Sequence, residues 1–185
     1  MLITSIIVAQ AALFSAEPLA DPLAGITADW LLCSEPDDKA KTCRGLTAYT
    51  KAADGQFAEV SRFAVMGLPG LVVEIQSKSY VKDGKLCGIV QRKDWDRLRI
   101  IRHVEGVTPQ QEAAAIKSIQ FLYPIDGKEL CSTFYPDGEH FRVELAANGK
   151  PILEATPRVR WVHKDDGYTI ASWQGAITTP MPGSR

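Results

Sequence analysis

The chain has 185 residues, 45% hydrophobic and 23% charged, which suits one globular domain with its own core and excludes a disordered or coiled-coil protein. A formal net charge of -1 gives no global positive field, so no nucleic-acid partner is expected.

Residues 2–14 are almost wholly apolar or small, and no Lys or Arg precedes Lys39. The run is short of the roughly 20 residues that span a bilayer, and Gln10 interrupts it. It reads as a signal peptide over residues 1–16, cut after Ala16 on segment length although Phe14 then stands where a small residue is preferred; Ala9-Gln10-Ala11 is the alternative with the small-x-small pattern. No transmembrane anchor is expected after cleavage. The rest divides into an N-terminal linker at 17–28, a single disulfide-bonded β-rich domain at 29–173 and a flexible C-terminal tail at 174–185. The expected location is outside the cytoplasm, periplasmic in a bacterium or secreted.

Four cysteines, Cys33, Cys43, Cys87 and Cys131, follow that segment. An even number in an exported chain predicts two disulfides. Three connectivities are open in principle. The polar loop 34–42 between Cys33 and Cys43 favours a local clasp, leaving Cys87 with Cys131. On loop entropy the clasp contributes about 3 kcal/mol and the longer bridge about 4 kcal/mol. Zinc is the weaker reading, because there is no C-x-x-C pair and His103, His140 and His163 have no ligand spacing. No cofactor is expected.

Turn dipeptides then dominate: Asp54-Gly55, Asp83-Gly84, Asp126-Gly127, Asp137-Gly138, Asn148-Gly149 and Asp166-Gly167. Asp-Gly and Asn-Gly accept the positive φ of hairpin turns, so a sheet protein is predicted. Residues 71–81 turn at Asp83-Gly84 into 85–90, and 97–104 is another β-branched run. Thr108-Pro109-Gln110-Gln111 supplies an N-cap, a Pro at the first helical position and a capping-box Gln. The helix it opens puts Ala115, Ile116, Ile119, Leu122 and Tyr123 on one face and ends at Pro124, so it packs across the sheet. Phe141, Val143 and Leu145 alternate with polar residues and turn at Asn148-Gly149 into 152–156. Val159, Trp161 and His163 share a strand face, and a second hairpin is expected where 164–167 leads into 168–173. The fold class is therefore mainly β, with α+β at the margin: an antiparallel β-sandwich or partly open barrel of roughly eight strands with one amphipathic helix and two disulfides.

No nucleophile elbow, H-E-x-x-H, Walker A, G-x-G-x-x-G or EF-hand loop is present. Ser79-Tyr80-Val81-Lys82 matches S-x-x-K, but on a strand the hydroxyl and the amine face opposite ways. The carboxylates of Asp94-Trp95-Asp96 and the pair Glu139-His140 are the candidates for a dispersed envelope hydrolase, although turn formation explains the first as well. Trp161, Tyr168 and Trp173 suggest an aromatic platform or cross-strand packing.

From residue 17 to 38 there are six acidic residues and no basic one, whereas Arg97 and Arg99, and later Arg158 and Arg160, alternate along strand-like runs. If those two strands are neighbours, four guanidiniums form a patch suited to phosphate or carboxylate. The leading expectation is thus an exported binding or structural protein that engages an anionic envelope component or a macromolecular partner through Arg97, Arg99, Arg158 and Arg160, with no catalytic site. The hydrolase is the alternative. An inhibitor presenting the loop 34–42 is the third class.

Overall fold

In the computed structural model, which describes residues 16–65, 68, 70–122, 127–152 and 156–171, the strands are β1 (Trp30–Ser34), β2 (Thr42–Cys43), β3 (Gly45–Lys51), β4 (Phe57–Ala64), β5 (Val72–Lys82), β6 (Lys85–Ile89), β7 (Arg99–Arg102), β8 (Glu129–Asp137), β9 (His140–Ala147), β10 (Lys150–Pro151), β11 (Arg158–His163) and β12 (Thr169–Ile170). Two helices, α1 (Arg92–Trp95) and α2 (Pro109–Leu122), lie between β6 and β8. The predicted dipeptides turn the chain where they have the required backbone. Asp83 and Gly84 have φ of 50° and 71°, Asn148 and Gly149 of 47° and 76°, both residues positive as a type I′ turn demands.

Strands β1, β3, β4, β5, β6, β8, β9 and β11 each pair antiparallel with the next, and β11 closes onto β1. The sheet is therefore a closed up-and-down barrel, which settles the choice between sandwich and open barrel by removing every edge but short ones. Leu32, Tyr49, Leu86, Phe134, Val143 and Val159 form its main interior cluster. Residues 17–28 do more than link: Leu19 and Leu23 join that cluster, and the Leu19 amide donates to the Phe134 carbonyl, so this segment covers part of the barrel.

The chain from 90 to 128 leaves the barrel and returns. It pairs β7 with the first residues of β5, because β6 occupies only the far end of that long strand. The predicted strand at 97–104 is thus shorter, confined to Arg99–Arg102, since α1 and its turn take up the preceding residues. Helix α2 starts as the capping box predicts: the Thr108 amide donates to Gln111 Oε1 at 2.8 Å and the Gln111 amide to Thr108 Oγ1 at 3.3 Å. Ala115 and Ile116 pack with Trp95, Leu98 and Ile100 against buried Val65, Leu71 and Val73. The side chains of Ile119 and Leu122, and Tyr123 and Pro124 entirely, lie outside the described residues, as do residues 1–15 of the expected signal peptide and the expected tail at 174–185.

Both disulfides form as the clasp argument favoured, Cys33 with Cys43 and Cys87 with Cys131. The second joins residues directly opposite in β6 and β8. The expected second hairpin does not form. After β11 a short 3-10 turn over Lys164–Asp166 ends at Gly167, with φ of 78°, and β12 pairs in parallel with β2. That small sheet covers Cys33, Cys43 and Val162 on the outside of the barrel, with Tyr168 against them. The clasp pulls the chain after β1 back on itself and so presents β2 as a ready edge, a tertiary effect that no local turn signal carries.

Candidate functional site

The lumen turns polar where β4 and β5 face it. Phe57, Glu59, Ser61 and Phe63 alternate inward on β4, and Val73, Ile75, Ser77 and Ser79 on β5; pairing sets Glu59 opposite Ser77 on one side and Tyr49 on the other. A cavity of ≈ 340 Å³ reaches from this polar row toward α1, lined by Thr47, Glu59, Ser61, Phe63, Ile75 and Trp95 among others. A second, of ≈ 190 Å³, shares Glu59 and Ser77 and extends past Ser79 to Leu86, Ser132 and Leu145. Eight-stranded barrels either fill with side chains or hold one small ligand, and the larger space here reaches the range of about 300–1,000 Å³ typical of ligand pockets.

Glu59 is the centre of this row. Ser61 Oγ donates to its Oε1 at 3.0 Å, and Thr47 Oγ1 lies 2.9 Å from Ser61 Oγ. What surface Glu59 keeps accessible faces the lumen, so burial pushes its carboxyl above the ordinary value of 4.5, and the hydroxyls of Ser61, Ser79 and Ser77 draw it part of the way back. No Lys, Arg or His among the described residues contributes to that balance. Tyr49 is pushed well above its ordinary 10.0, by burial first and the Glu59 charge second, so it stays a neutral phenol. Ser79 Oγ leans toward the carboxylate without reaching hydrogen-bond geometry, and it is the one buried side-chain polar atom among the described residues without a hydrogen-bond partner. The set offers one carboxylate, a row of hydroxyls and apolar walls. Neither cavity is lined by a histidine.

The arginines selected from sequence do not make one patch. Strand β7 pairs with β5, whereas β11 lies between β9 and β1, so the two strands are not neighbours. Arg97 falls in the turn after α1 and shares no strand with Arg99. Arg99 and Arg62 both bind Glu74, the latter at 2.8 Å, and hold its carboxyl down at about 2. These guanidiniums cover Glu74, leaving it 3% exposed, while they remain largely in water themselves.

Arg158 reaches Asp137 at 3.8 Å, and Arg160 belongs to a different assembly. Asp38, on the clasp loop, accepts from Arg160 at 3.0 Å and from the Tyr168 hydroxyl, with His140 Nε2 3.2 Å from its other oxygen, while Glu139 approaches Arg160 at 3.5 Å. The Tyr168 hydrogen bond is the main cause that holds the Asp38 carboxyl below its ordinary value; desolvation opposes it, and Arg160 and His140 add to the lowering. The structure thus brings together Arg160, Glu139, His140 and the loop 34–42, which were separate candidates in sequence. Of the other carboxylate pair, Asp94 lines the larger cavity and accepts from the Gln91 amide at 3.0 Å as part of the α1 cap, whereas Asp96 lines neither cavity. Trp161 stacks edge-on with Tyr49 at 5.9 Å in the interior, while Tyr168 sits outside under Lys41, so they form no common platform; Trp173 lies outside the described residues.

The one metal-like grouping found among the described residues, Cys87, Glu129 and Cys131, contains two sulfurs already joined in a disulfide, which leaves no thiolate to bind an ion. Among the described residues no helix is long and apolar enough to cross a membrane. The chain matches no protein family, no curated protein and no solved structure with which it was compared. Glu59 went unnoticed in sequence. Its strand reads Phe-Ala-Glu-Val-Ser-Arg-Phe-Ala, and an apolar-inward rule turns Ala58 and Val60 to the core and Glu59 to solvent. The phenylalanines at 57 and 63, in phase with Glu59, are the signal for the opposite assignment.

Proposed function

We propose that this chain is an exported, non-catalytic binding protein that takes a small molecule into its barrel lumen. The observation that carries this reading is the part-filled lumen around Glu59, where a carboxylate and the hydroxyl-bearing Ser61 and Ser77 line empty space instead of packed side chains. Native barrels fill such space with apolar side chains unless the space is used, because an unsatisfied buried polar group costs about 1–3 kcal/mol. Export is supported by the apolar stretch at 2–14 together with two disulfides, which form and persist in oxidising compartments. The lumen replaces the arginine strands as the proposed binding site, since Arg99 and Arg160 are engaged by Glu74 and Asp38.

The test is an amide NMR titration of the oxidised protein, residues 17–185, with a library of one-ring and two-ring fragments. Binding is expected to shift Thr47, Glu59, Ser61 and Ser77, and to vanish in a folded Ser77→Phe variant whose ring fills the lumen. Shifts confined to the outer face, unchanged in that variant, overturn the reading.

A further inference from the structure

We infer that the lumen site selects small organic cations, a protonated amine carried on an apolar group, with Glu59 as its counter-charge. The inference rests on the lumen-binding reading and adds the chemical class of the ligand.

Glu59 is a carboxylate walled in by Tyr49, Thr47, Ser61, Ser77 and Ser79, and none of these brings a positive charge. Buried carboxylates elsewhere in proteins are paired or bind cations, because desolvation without a counter-charge is costly. The same molecule shows the ordinary solution on its outer face, where Glu74 is held between Arg62 and Arg99. On the inner face of the same two strands the carboxylate has hydroxyls alone.

An ammonium group supplies what is missing. Its single positive charge matches the carboxylate of the polar row, and its three N–H donors need acceptors, which Glu59 and the hydroxyl oxygens of Ser61 and Ser77 provide. Ser77, which pairs with Glu59 in the register, is half-buried and lines both cavities, so an acceptor already stands beside the carboxylate. An anion meets the charge of Glu59. A hard divalent ion wants six or more oxygens with several carboxylates among them, and Asp94, the other acidic residue lining the larger cavity, is committed to the α1 cap.

The walls beyond the polar row are apolar, with Phe63, Ile75, Val90 and Trp95 toward α1. At about 30 Å³ for each water-sized group, the ≈ 340 Å³ space takes roughly ten non-hydrogen atoms, an amine with one ring or a short chain. The charged residues lining this space are Glu59, Arg44, Arg62 and Asp94. Arg62 is turned to Glu74 on the outer face and Asp94 to the α1 cap, while Glu59 stands in the polar row itself.

The experiment titrates the oxidised protein, residues 17–185, with phenethylamine, phenylacetate and 2-phenylethanol at pH 7.5, probes of nearly equal size that are cationic, anionic and neutral. Calorimetry gives affinity and amide NMR the location. Phenethylamine is expected to bind in the lumen at least about tenfold more tightly than the other two, with that advantage removed in Glu59→Gln. Because the three probes are compared on the unaltered chain, the result does not depend on how the variant folds. If phenylacetate or 2-phenylethanol occupies the lumen as tightly as the amine, cation selection is overturned while the lumen reading stands. If no probe reaches the lumen at millimolar concentration, both fall.

Discussion

Tyr49 and Glu59 stand directly opposite one another in β3 and β4, both turned into the lumen, so a phenol that stays neutral faces a carboxylate that burial holds above its ordinary value. Glu59 binds its proton more tightly folded than unfolded. It therefore costs nothing below the unfolded value near 4.5 and destabilises the protein as pH rises through the folded one. Glu59→Gln is expected to stabilise the empty protein at pH 7 by on the order of 1 kcal/mol, with the gain disappearing below about pH 4.5. Urea unfolding across pH 4–8 measures this, and an unchanged or lower stability at pH 7 contradicts it.

Glu74 has the opposite sign. Its carboxyl, held down to about 2 by Arg99 and Arg62, contributes stability that is complete above the ordinary 4.5 and is lost as pH falls toward 2. Both arginine side chains are more than half exposed, so screening by water reduces the pair's worth to roughly 1–2 kcal/mol. Glu74→Gln should lose that amount at pH 7 and match the parent protein near pH 2. A difference that does not change with pH would show that packing, not charge, is responsible.

The clasp between Cys33 and Cys43 closes a separation of 10 residues. Replacing both cysteines by serine should cost about 3 kcal/mol by loop entropy, somewhat more if the β2–β12 pair detaches as well. Thermal unfolding gives the cost. Amide exchange at Thr42, Cys43, Thr169 and Ile170 shows whether the outer sheet is lost with it, and its survival would mean that β2 is held without the bridge.

Asp38 gathers the side chains of Tyr168, Arg160 and His140 at the tip of the clasp loop. Asp38 itself is exposed, so Asp38→Asn should change global stability by less than about 1 kcal/mol. Its expected effect is local, with faster amide exchange in residues 34–42 and no change in β8 or β9. Unaltered exchange in the loop would assign its order to the disulfide alone.

Much of the architecture was legible because it is local. Asp83-Gly84 and Asn148-Gly149 fix hairpins by their own backbone, Thr108 with Gln111 fixes a helix start, and the loop 34–42 favours its clasp. Contacts between distant segments were not legible. Arg97, Arg99, Arg158 and Arg160 looked like a group because alternation reports which face a residue takes, never which strand lies next to it. Glu59 was hidden by the same limit: alternation gives two faces, and burial of apolar groups chooses between them only when the inside is apolar.

The joint between β1 and β11 spans the longest stretch of chain of any pairing in the barrel. Apart from β6 and β8, which the excursion over 90–128 separates, the remaining barrel strands meet partners close by in sequence, whereas Trp30 must find His163 and Ser34 must find Val159. Closing so long a loop carries the largest entropic cost of any step, so hairpins can assemble into an open curved sheet well before the cylinder shuts. That makes the joint the slowest part to form and gives the protein a natural place to be cut and rejoined. A circularly permuted chain in which β11 runs directly into β1 would turn the costliest pairing into a hairpin and move the late step to whichever turn was opened instead.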